Sequence, residues 1–407
     1  MTVLSLLKKS LSTAHLDDNT KCAVALSGGG DSLALLHLLV EALGAERIYA
    51  LHFNHRLRPE SDQEAVWVED VCNQLGVACT VGAWQHDNDK PLKNIQAHAR
   101  KARYAFLLSQ MEALSLSTLM LGHTCDDVAE TFLERLSRGS GLKGLAVLPL
   151  IRTTGQFTFI RPLRDCMRIE LRAYLAEKKY TWLDDPSNNN PAFKRIRWRE
   201  HVQTYPDLFD TQTIAATVNA LSDADNLLDE LAADWQARAV KNVFAGVYTL
   251  PHNYAELRDE LKIRVFTQLY TTLVPMADRP RTPKILSAIS DVAQQKHIQL
   301  GAVDLYQTDE CLYMAAGCFD GTRYLSWDTE KTEDLRCVRA SSLPAKVRQR
   351  LFKGVDVPQS IRMRMPFWLD KKDAVKVALG GCGLELPTTC KEIDAKWRPN
   401  ALHFLAT

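Results

Sequence analysis

The sequence predicts an α/β protein: a doubly wound parallel sheet in its first half, then a helical domain and a small β-rich C-terminal region. Three observations carry that reading. Short apolar runs alternate with amphipathic segments from residue 20 to about 122; the segments between the runs have helical spacing; and the first run ends in a glycine loop that opens directly into a helix. KCAVAL (21–26), RIYALHFN (47–54), GVACTVGAW (76–84) and STLMLGH (117–123) read as strands, with 32–43, 62–75 and 95–114 as the helices between and after them. Strands alternating with helices form βαβ units, whose parallel sheet is covered on both faces.

Beyond Gly122 the pattern predicts a helix over 126–137, a hairpin across 148–160 and a helix over 167–179. The polar stretch DDPSNNNP (184–191) cannot continue that helix. One long helix is expected over 211–241, with Ile214, Val218, Leu221, Leu227, Leu228 and Leu231 on its apolar side, then helices over 254–273 and 282–296. The resulting division is a first domain over 1–203, a linker helix over 204–241, a helical domain over 242–320 and a small α/β or β-rich domain over 321–407. In the last of these only runs such as GTRYLSW and PFWL look like strands.

Composition narrows the function classes. Of 407 residues, 46% are apolar and 24% charged, and no apolar run reaches the length of a membrane span. The first twenty residues lack the pattern of a secretory signal, so the expectation is a cytoplasmic protein without a membrane partner. Ten cysteines form no CxxC pair, which fits reduced core thiols better than zinc or an iron–sulfur cluster. A net charge of +1 argues against indiscriminate nucleic-acid binding while leaving room for a local basic patch.

The loop Ser27-Gly28-Gly29-Gly30-Asp31-Ser32 follows the first strand, where sheets of this class bind ligands. Backbone N–H groups at a helix start favour an anion, and glycine lets phosphate oxygens approach the chain. The loop has neither the GK[ST] ending of a Walker A motif nor G-x-G-x-x-G spacing. A turn capped by Ser27 or Asp31 is the structural alternative.

The loop resembles the PP-loop of ATP pyrophosphatases. Within them, NIQAHARKARY (94–104), LGHTCDDVAETFLERLSRGSGLKGL (121–145), FIRPL (159–163) and DDPSNNNPAFKRIRWR (184–199) resemble segments of tRNA(Ile)-lysidine synthetases. The likeness is close over about 20–203, weaker over 211–320 and faint thereafter; Gln96, Phe193 and Ile196 depart from the family pattern. It implies ATP-dependent ligation of L-lysine to C2 of the wobble cytidine of a CAU-anticodon isoleucine tRNA. The cytidine is first adenylated; lysidine, AMP and pyrophosphate are the products. ATP, Mg²⁺, L-lysine and that tRNA are the implied partners, and a homodimer is compatible with it. A PP-loop tRNA thiolase is the alternative, set back by the missing CxxC pair.

The resemblance implies that Ser27, Gly28, Gly29, Gly30, Asp31 and Ser32 bind ATP, with Asp31 also a candidate for Mg²⁺. Asp127 and Glu130, three apart on one helix face, are the expected acidic pair for lysine, with His123 just before them. Asp31, Asp127, Glu130 and Arg103 form the expected catalytic set, with Arg100 beside Arg103. Asp126 is as well suited to capping as to binding, and Arg138-Gly139-Ser140-Gly141 is a second candidate anion nest. For the tRNA, Arg195, Arg197 and Arg199 around Trp198 are the candidates. Arg161, Arg164, Arg168 and Arg172 recur at helical spacing, and Lys346, Arg348, Arg350, Lys353, Arg362 and Arg364 form a second basic set.

Overall fold

The structure is a computed structural model that describes residues 2–16, 19–85, 95–183, 194–244, 247–274, 279–295 and 297–316, together with 336–339, 345, 357, 362, 366–369 and 375–378. The chain divides into two compact units, Met1–Asp225 and Asn226–Asn400. The division falls within a long helix rather than near residue 203.

The first unit begins with α1 (Val3–Thr13), whose N-cap Thr2 accepts from Ser5 N–H. No element was expected there, yet Leu7 and Leu11, four apart, are buried in the core. β1 (Cys22–Ala25) then leads through the glycine loop into α2 (Gly30–Leu43). β2 (Ile48–Asn54), α3 (Ser61–Gln74), β3 (Ala78–Ala83), α4 (Ile95–Ala113) and β4 (Thr118–Met120) follow, in the order the periodicity predicts. Next come α5 (Cys125–Leu136), the short α6 (Leu142–Leu145), the hairpin β5 (Ile151–Thr154) and β6 (Phe157–Ile160), then α7 (Arg168–Glu177), α8 (Lys194–Thr204) and α9 (Thr211–Ala239).

The six strands stand in the order β3-β2-β1-β4-β6-β5, all parallel except β5, which returns antiparallel beside β6. Alternation along each strand splits the core between the two faces. Cys22, Val24, Ala50, Met120 and Ile160 point to one face, where Leu7, Leu36, Val68, Leu171 and Leu175 cover them. Ala23, Leu51, Leu119 and Phe159 point to the other, under Tyr104, Leu107 and Met111 of α4. This is the doubly wound sheet expected from the sequence. Its chain reverses direction between β1 and β4, so the loops after those two strands flank the switch-point crevice.

In the second unit, α10 (Asp259–Leu273) and α11 (Thr282–Gln295) match the helical segments expected there. They are joined by strands that the helical reading of 242–320 did not include. β7 (Lys241–Phe244), β8 (Val247–Pro251), β9 (His297–Leu300), β10 (Val303–Gln307) and β11 (Cys311–Ala316) form an antiparallel sheet in the order β7-β8-β11-β10-β9. Each is four to six residues long, too short a run for period-2 alternation to stand out in sequence. β12 (Arg336–Arg339), β13 (Pro366–Leu369) and β14 (Val375–Ala378) make a further antiparallel sheet, and PFWL is β13. GTRYLSW lies outside the described residues. On α9, Val218 is buried, whereas Leu227 and Leu231 are exposed despite their place on the expected apolar side. No described helix is long and apolar enough to cross a membrane.

One buried titratable group makes the first unit sensitive to acid. His37 on α2 stacks on Tyr180 with ring centroids 3.6 Å apart, and burial lowers its pKa to about 4. The folded state therefore resists protonation that the unfolded chain accepts near pH 6.5, so this contribution is complete above about 6.5 and is lost as pH falls toward 4. The loss is on the order of 3 kcal/mol. Denaturant midpoints between pH 7.5 and 4.5 should fall less steeply in His37→Leu than in the unsubstituted chain; parallel curves would contradict this assignment.

Candidate active site

The glycine loop turns where β1 ends. Gly28 has φ +86°, and a Cβ there would meet Leu183 Cδ1 at 2.8 Å, so only glycine fits. Two serines brace the turn from within. Ser32 Oγ donates to Gly29 O at 2.9 Å, accepts from Ser27 N–H at 3.1 Å and lies 2.9 Å from Ser27 Oγ. Gly29 is the N-cap of α2 and makes no side-chain cap, so neither Ser27 nor Asp31 caps the helix. Leu33 N–H closes the first helical bond, to Gly29 O at 3.0 Å, and the N–H groups of Gly30, Asp31 and Ser32 precede it. These are the donors a helix start offers to an anion. Leu183 N–H, just before the polar stretch at 184, ties to Gly28 O at 3.0 Å.

The second part of the site follows β4. A Cβ on Gly122 would meet Ser32 Cα at 3.1 Å and Asp31 O at 3.2 Å, so the absence of a side chain lets this strand end lie directly against the phosphate loop. His123 is half-buried and precedes Thr124, the N-cap of α5. Thr124 and Asp127 form a capping box: Thr124 N–H donates to Asp127 Oδ2 at 2.9 Å and Asp127 N–H to Thr124 Oγ1 at 3.3 Å. Asp126 caps a different helix, with its Oδ2 accepting Arg168 N–H at the start of α7 at 2.7 Å.

Arg168 joins the two parts. Its Nε donates to Asp31 Oδ2 at 3.2 Å, Nη2 to Asp127 Oδ1 at 2.7 Å and Nη1 to Glu130 Oε1 at 3.2 Å. Glu130 also accepts from Arg199 of α8, from Nε at 2.8 Å and from Nη2 at 3.4 Å. Asp127 and Glu130 are buried, 5% and 2% exposed, so their charges need these partners. Burial pushes the Asp31 carboxyl up; Arg168 beside it pulls it down and nearby Asp127 adds to the rise. Arg168 itself is held firmly protonated by the carboxylates of Asp127, Glu130, Asp31 and Asp126, against the effect of its own burial.

The donor set fits Mg²⁺ in one particular way. Asp31 Oδ1 is buried with no hydrogen-bond partner, at the loop that would hold the phosphates. Among the described residues, no group of three or more His, Cys, Asp or Glu is arranged to hold a metal ion. A Mg²⁺ would therefore take Asp31 together with phosphate oxygens, which is how this ion is usually held beside a nucleotide.

Of the expected site residues, the structure brings together the loop 27–32, Asp31, Asp127, Glu130 and Arg199, with His123 next to the cap. Arg103 lies elsewhere on α4, its guanidinium 5.3 Å from the centroid of the Tyr104 ring. Arg197 is exposed on α8, while the Arg195 side chain and residues 184–193 lie outside the described residues. The stripe Arg161, Arg164, Arg168 and Arg172 is not a common solvent face. Arg161 and Arg164 are buried, Arg168 is in the acidic cluster, and Arg172 lies over Trp182 with its Nε where a Cβ on Gly30 would stand. Arg168 was thus missed as a site residue, and no sequence spacing marks a pairing 137 residues apart. Of the C-terminal basic set only Arg362 is among the described residues.

Residues 3–205 match the model of the PP-loop domain family. The chain is 34% identical over 267 residues to a tRNA(Ile)-lysidine synthase of Bradyrhizobium sp., covering 62% of this chain and 74% of that protein. It is 31% identical over 289 residues to one of Ruegeria pomeroyi, covering 69% and 67%. Among solved structures it is similar to a U34-tRNA thiolase of Methanococcus maripaludis, with a TM-score of 0.48 and 19% identity over 54% of this chain and 78% of that one. A likeness at that level bears on neither the reaction nor the cofactor of this chain.

Removing Arg168 should expose the charge it neutralises. Arg168→Met keeps an apolar stem but leaves buried carboxylates uncompensated, with an expected loss of roughly 3 kcal/mol at pH 8. At pH 5.5 the Asp31 carboxyl, already pushed up by burial, can take up a proton and the loss should shrink. Urea midpoints at the two pH values check this, and an equal loss at both would assign Arg168 to packing alone.

Proposed function

This chain belongs to the tRNA(Ile)-lysidine synthase family of PP-loop proteins, and from that premise we propose which of its residues carry out the reaction. The activity is ATP-dependent ligation of L-lysine to C2 of the wobble cytidine in a CAU-anticodon isoleucine tRNA. The observation that supports the assignment of residues most strongly is the meeting of the phosphate loop and a buried acidic cluster at Arg168.

The first step makes a leaving group. Cytidine O2 attacks the α phosphorus of ATP, the O2–P bond forms, the bond from that phosphorus to the bridging oxygen breaks, and pyrophosphate departs. The N–H groups of Gly30, Asp31 and Ser32 hold the phosphates, and the α2 dipole favours the charge that develops. Asp31 would hold a Mg²⁺, which supplies charge neutralisation on the phosphates when bound. In the second step the lysine ε-amine attacks C2, the C–N bond forms, the C2–O2 bond breaks and AMP leaves with O2. The amine's protons pass to a carboxylate of the cluster.

Glu130 is the anchor for the lysine. Its carboxylate already accepts charge-assisted hydrogen bonds from two guanidinium groups, and an ammonium is the same kind of donor. Lysine would take the place of Arg199, while Arg168 continues to neutralise Asp31 and Asp127. His123 remains a lysine-site candidate beside this centre and Arg103 a catalytic candidate set back from it at Tyr104, and Arg195 and Arg197 remain candidates for tRNA phosphates. We assign catalysis to 1–203, linkage to 204–241, tRNA binding to 242–320 and a supporting role to 321–407. A cytoplasmic location completes the proposal.

Purified protein, ATP, radiolabelled lysine and an isoleucine tRNA transcript with a CAU anticodon should give labelled tRNA together with AMP and pyrophosphate. ATP turnover that leaves lysine unincorporated would sink the ligase assignment. Asp31→Ala should lower pyrophosphate release by at least about 100-fold. Glu130→Gln should leave that release largely intact and raise the lysine KM about 10-fold or more, the loss expected for one charge-assisted contact. Unchanged lysine kinetics in Glu130→Gln would remove Glu130 from the lysine site.

A further inference from the structure

Arginines from three segments of the first unit gather around Tyr104, and neither chemical step described above uses this group. On α4, the guanidinium groups of Arg100 and Arg103 stand 4.9 and 5.3 Å from the centroid of the Tyr104 ring, and Arg100 Nη2 donates to its hydroxyl at 3.4 Å. The ring packs edge-on against Phe159, 6.4 Å between centroids. Phe159 is the register partner of Arg152 across the β5–β6 hairpin, which brings Arg152 to the same place. Arg161 follows β6 and donates from Nη1 to Pro149 O at 2.8 Å. Near the end of α5, Arg135 Nη1 donates to Gly144 O of α6 at 3.0 Å.

Two features of this group suit an anion. Arg103 Nε and Arg161 Nε are buried donors with no hydrogen-bond partner, and leaving such donors unmatched is costly unless something accepts from them. The charges bearing most strongly on Arg152 are Tyr104, Arg135 and Arg100, and those on Arg161 are Tyr104, Arg152, Arg164 and Arg100. Burial, with neighbouring arginines adding to it, brings the Arg161 guanidinium down to about 10. For Tyr104, burial raises the hydroxyl, but Arg100, Arg103 and Arg161 together hold it below its usual value. The folded chain has thus gathered like charge at one place, and an anion there would relieve the repulsion. Arginine forks match phosphate oxygens two at a time, which makes phosphate the favoured anion.

Position identifies the source of the phosphate. Glu130 and Arg135 lie on the same helix, five residues apart and so about 7.5 Å along its axis. An anion held at Arg135 would thus sit on the helix that carries the acidic cluster, rather more than one turn further along it. We propose that Arg100, Arg135 and Arg152, around Tyr104, bind a backbone phosphodiester of the single-stranded RNA beside the nucleotide being modified. This inference rests on the function assigned above and adds the element that holds the RNA strand in register with the phosphate loop. RNA phosphodiester and ATP phosphate share the chemistry, and the two are separated by experiment.

The full chain, without lysine, is titrated against a fluorescent anticodon stem-loop RNA over a series of salt concentrations, and separately against ATP. Arg152→Gln should weaken RNA binding about 10-fold and reduce the slope of log affinity against log salt by about 0.7 to 0.9, the value of one lost phosphate contact. Arg152→Lys should keep the slope and recover part of the affinity, and ATP affinity should stay constant in both. Arg100→Gln, on an exposed helix position, gives the same readout should Arg152→Gln unfold. Wild-type affinity and slope in both glutamine variants would overturn the proposal. So would weakened ATP binding with RNA binding intact, or no RNA binding by the wild-type chain. No lysine transfer is involved, so failure of the ligation assay leaves this result interpretable.

Discussion

The site depends on one guanidinium. Arg168 reaches from α7 to Asp31 on the phosphate helix and to Asp127 and Glu130 on the acidic helix. The last two side chains are only 7% and 3% exposed, and carboxylates buried so close together cannot all stay ionised without a cation among them. The same helix pair is fixed a second time through the backbone, since Asp126 of α5 accepts the first N–H of α7. α7 packs on α2, so the phosphate loop and the acidic cluster are held at one spacing. Two steps that share a substrate atom need that fixed spacing.

Sheet topology explains why these groups can meet at all. β1 and β4 are far apart in sequence but are parallel neighbours in the sheet, so both end at the same edge, at the switch point. Gly28 allows the first loop its turn, and Gly122 allows the second to touch it. A side chain at either place would push apart the start of α2 and the strand end that leads to Asp127 and Glu130.

The parts of this arrangement that are local were legible in the sequence. The strand, glycine loop and helix at 22–43 follow from periodicity and turn chemistry, and Asp127 and Glu130 share a face because of their spacing. What sequence could not show is which cation meets which anion across the fold. Arg168 and Arg199 both read as surface arginines suited to RNA, and both are bound to Glu130. Helical spacing placed Arg161 and Arg164 on a basic stripe, but the chain around them is a turn that follows β6, where the period of 3.6 does not apply. The short strands of the second unit were hidden for a related reason: a four-residue run carries too few alternations to outweigh the helices beside it.

In the proposed mechanism the phosphate loop activates the RNA before lysine takes part. The most direct measurement is rapid mixing of the enzyme with isoleucine tRNA and α-labelled ATP in the absence of lysine, followed by quenching and separation of the RNA. Pyrophosphate release should be matched by label on the tRNA, and that labelled tRNA should give AMP and lysidine-containing tRNA when lysine is added. Pyrophosphate release that requires lysine, with the label found on lysine instead of the RNA, would contradict this mechanism.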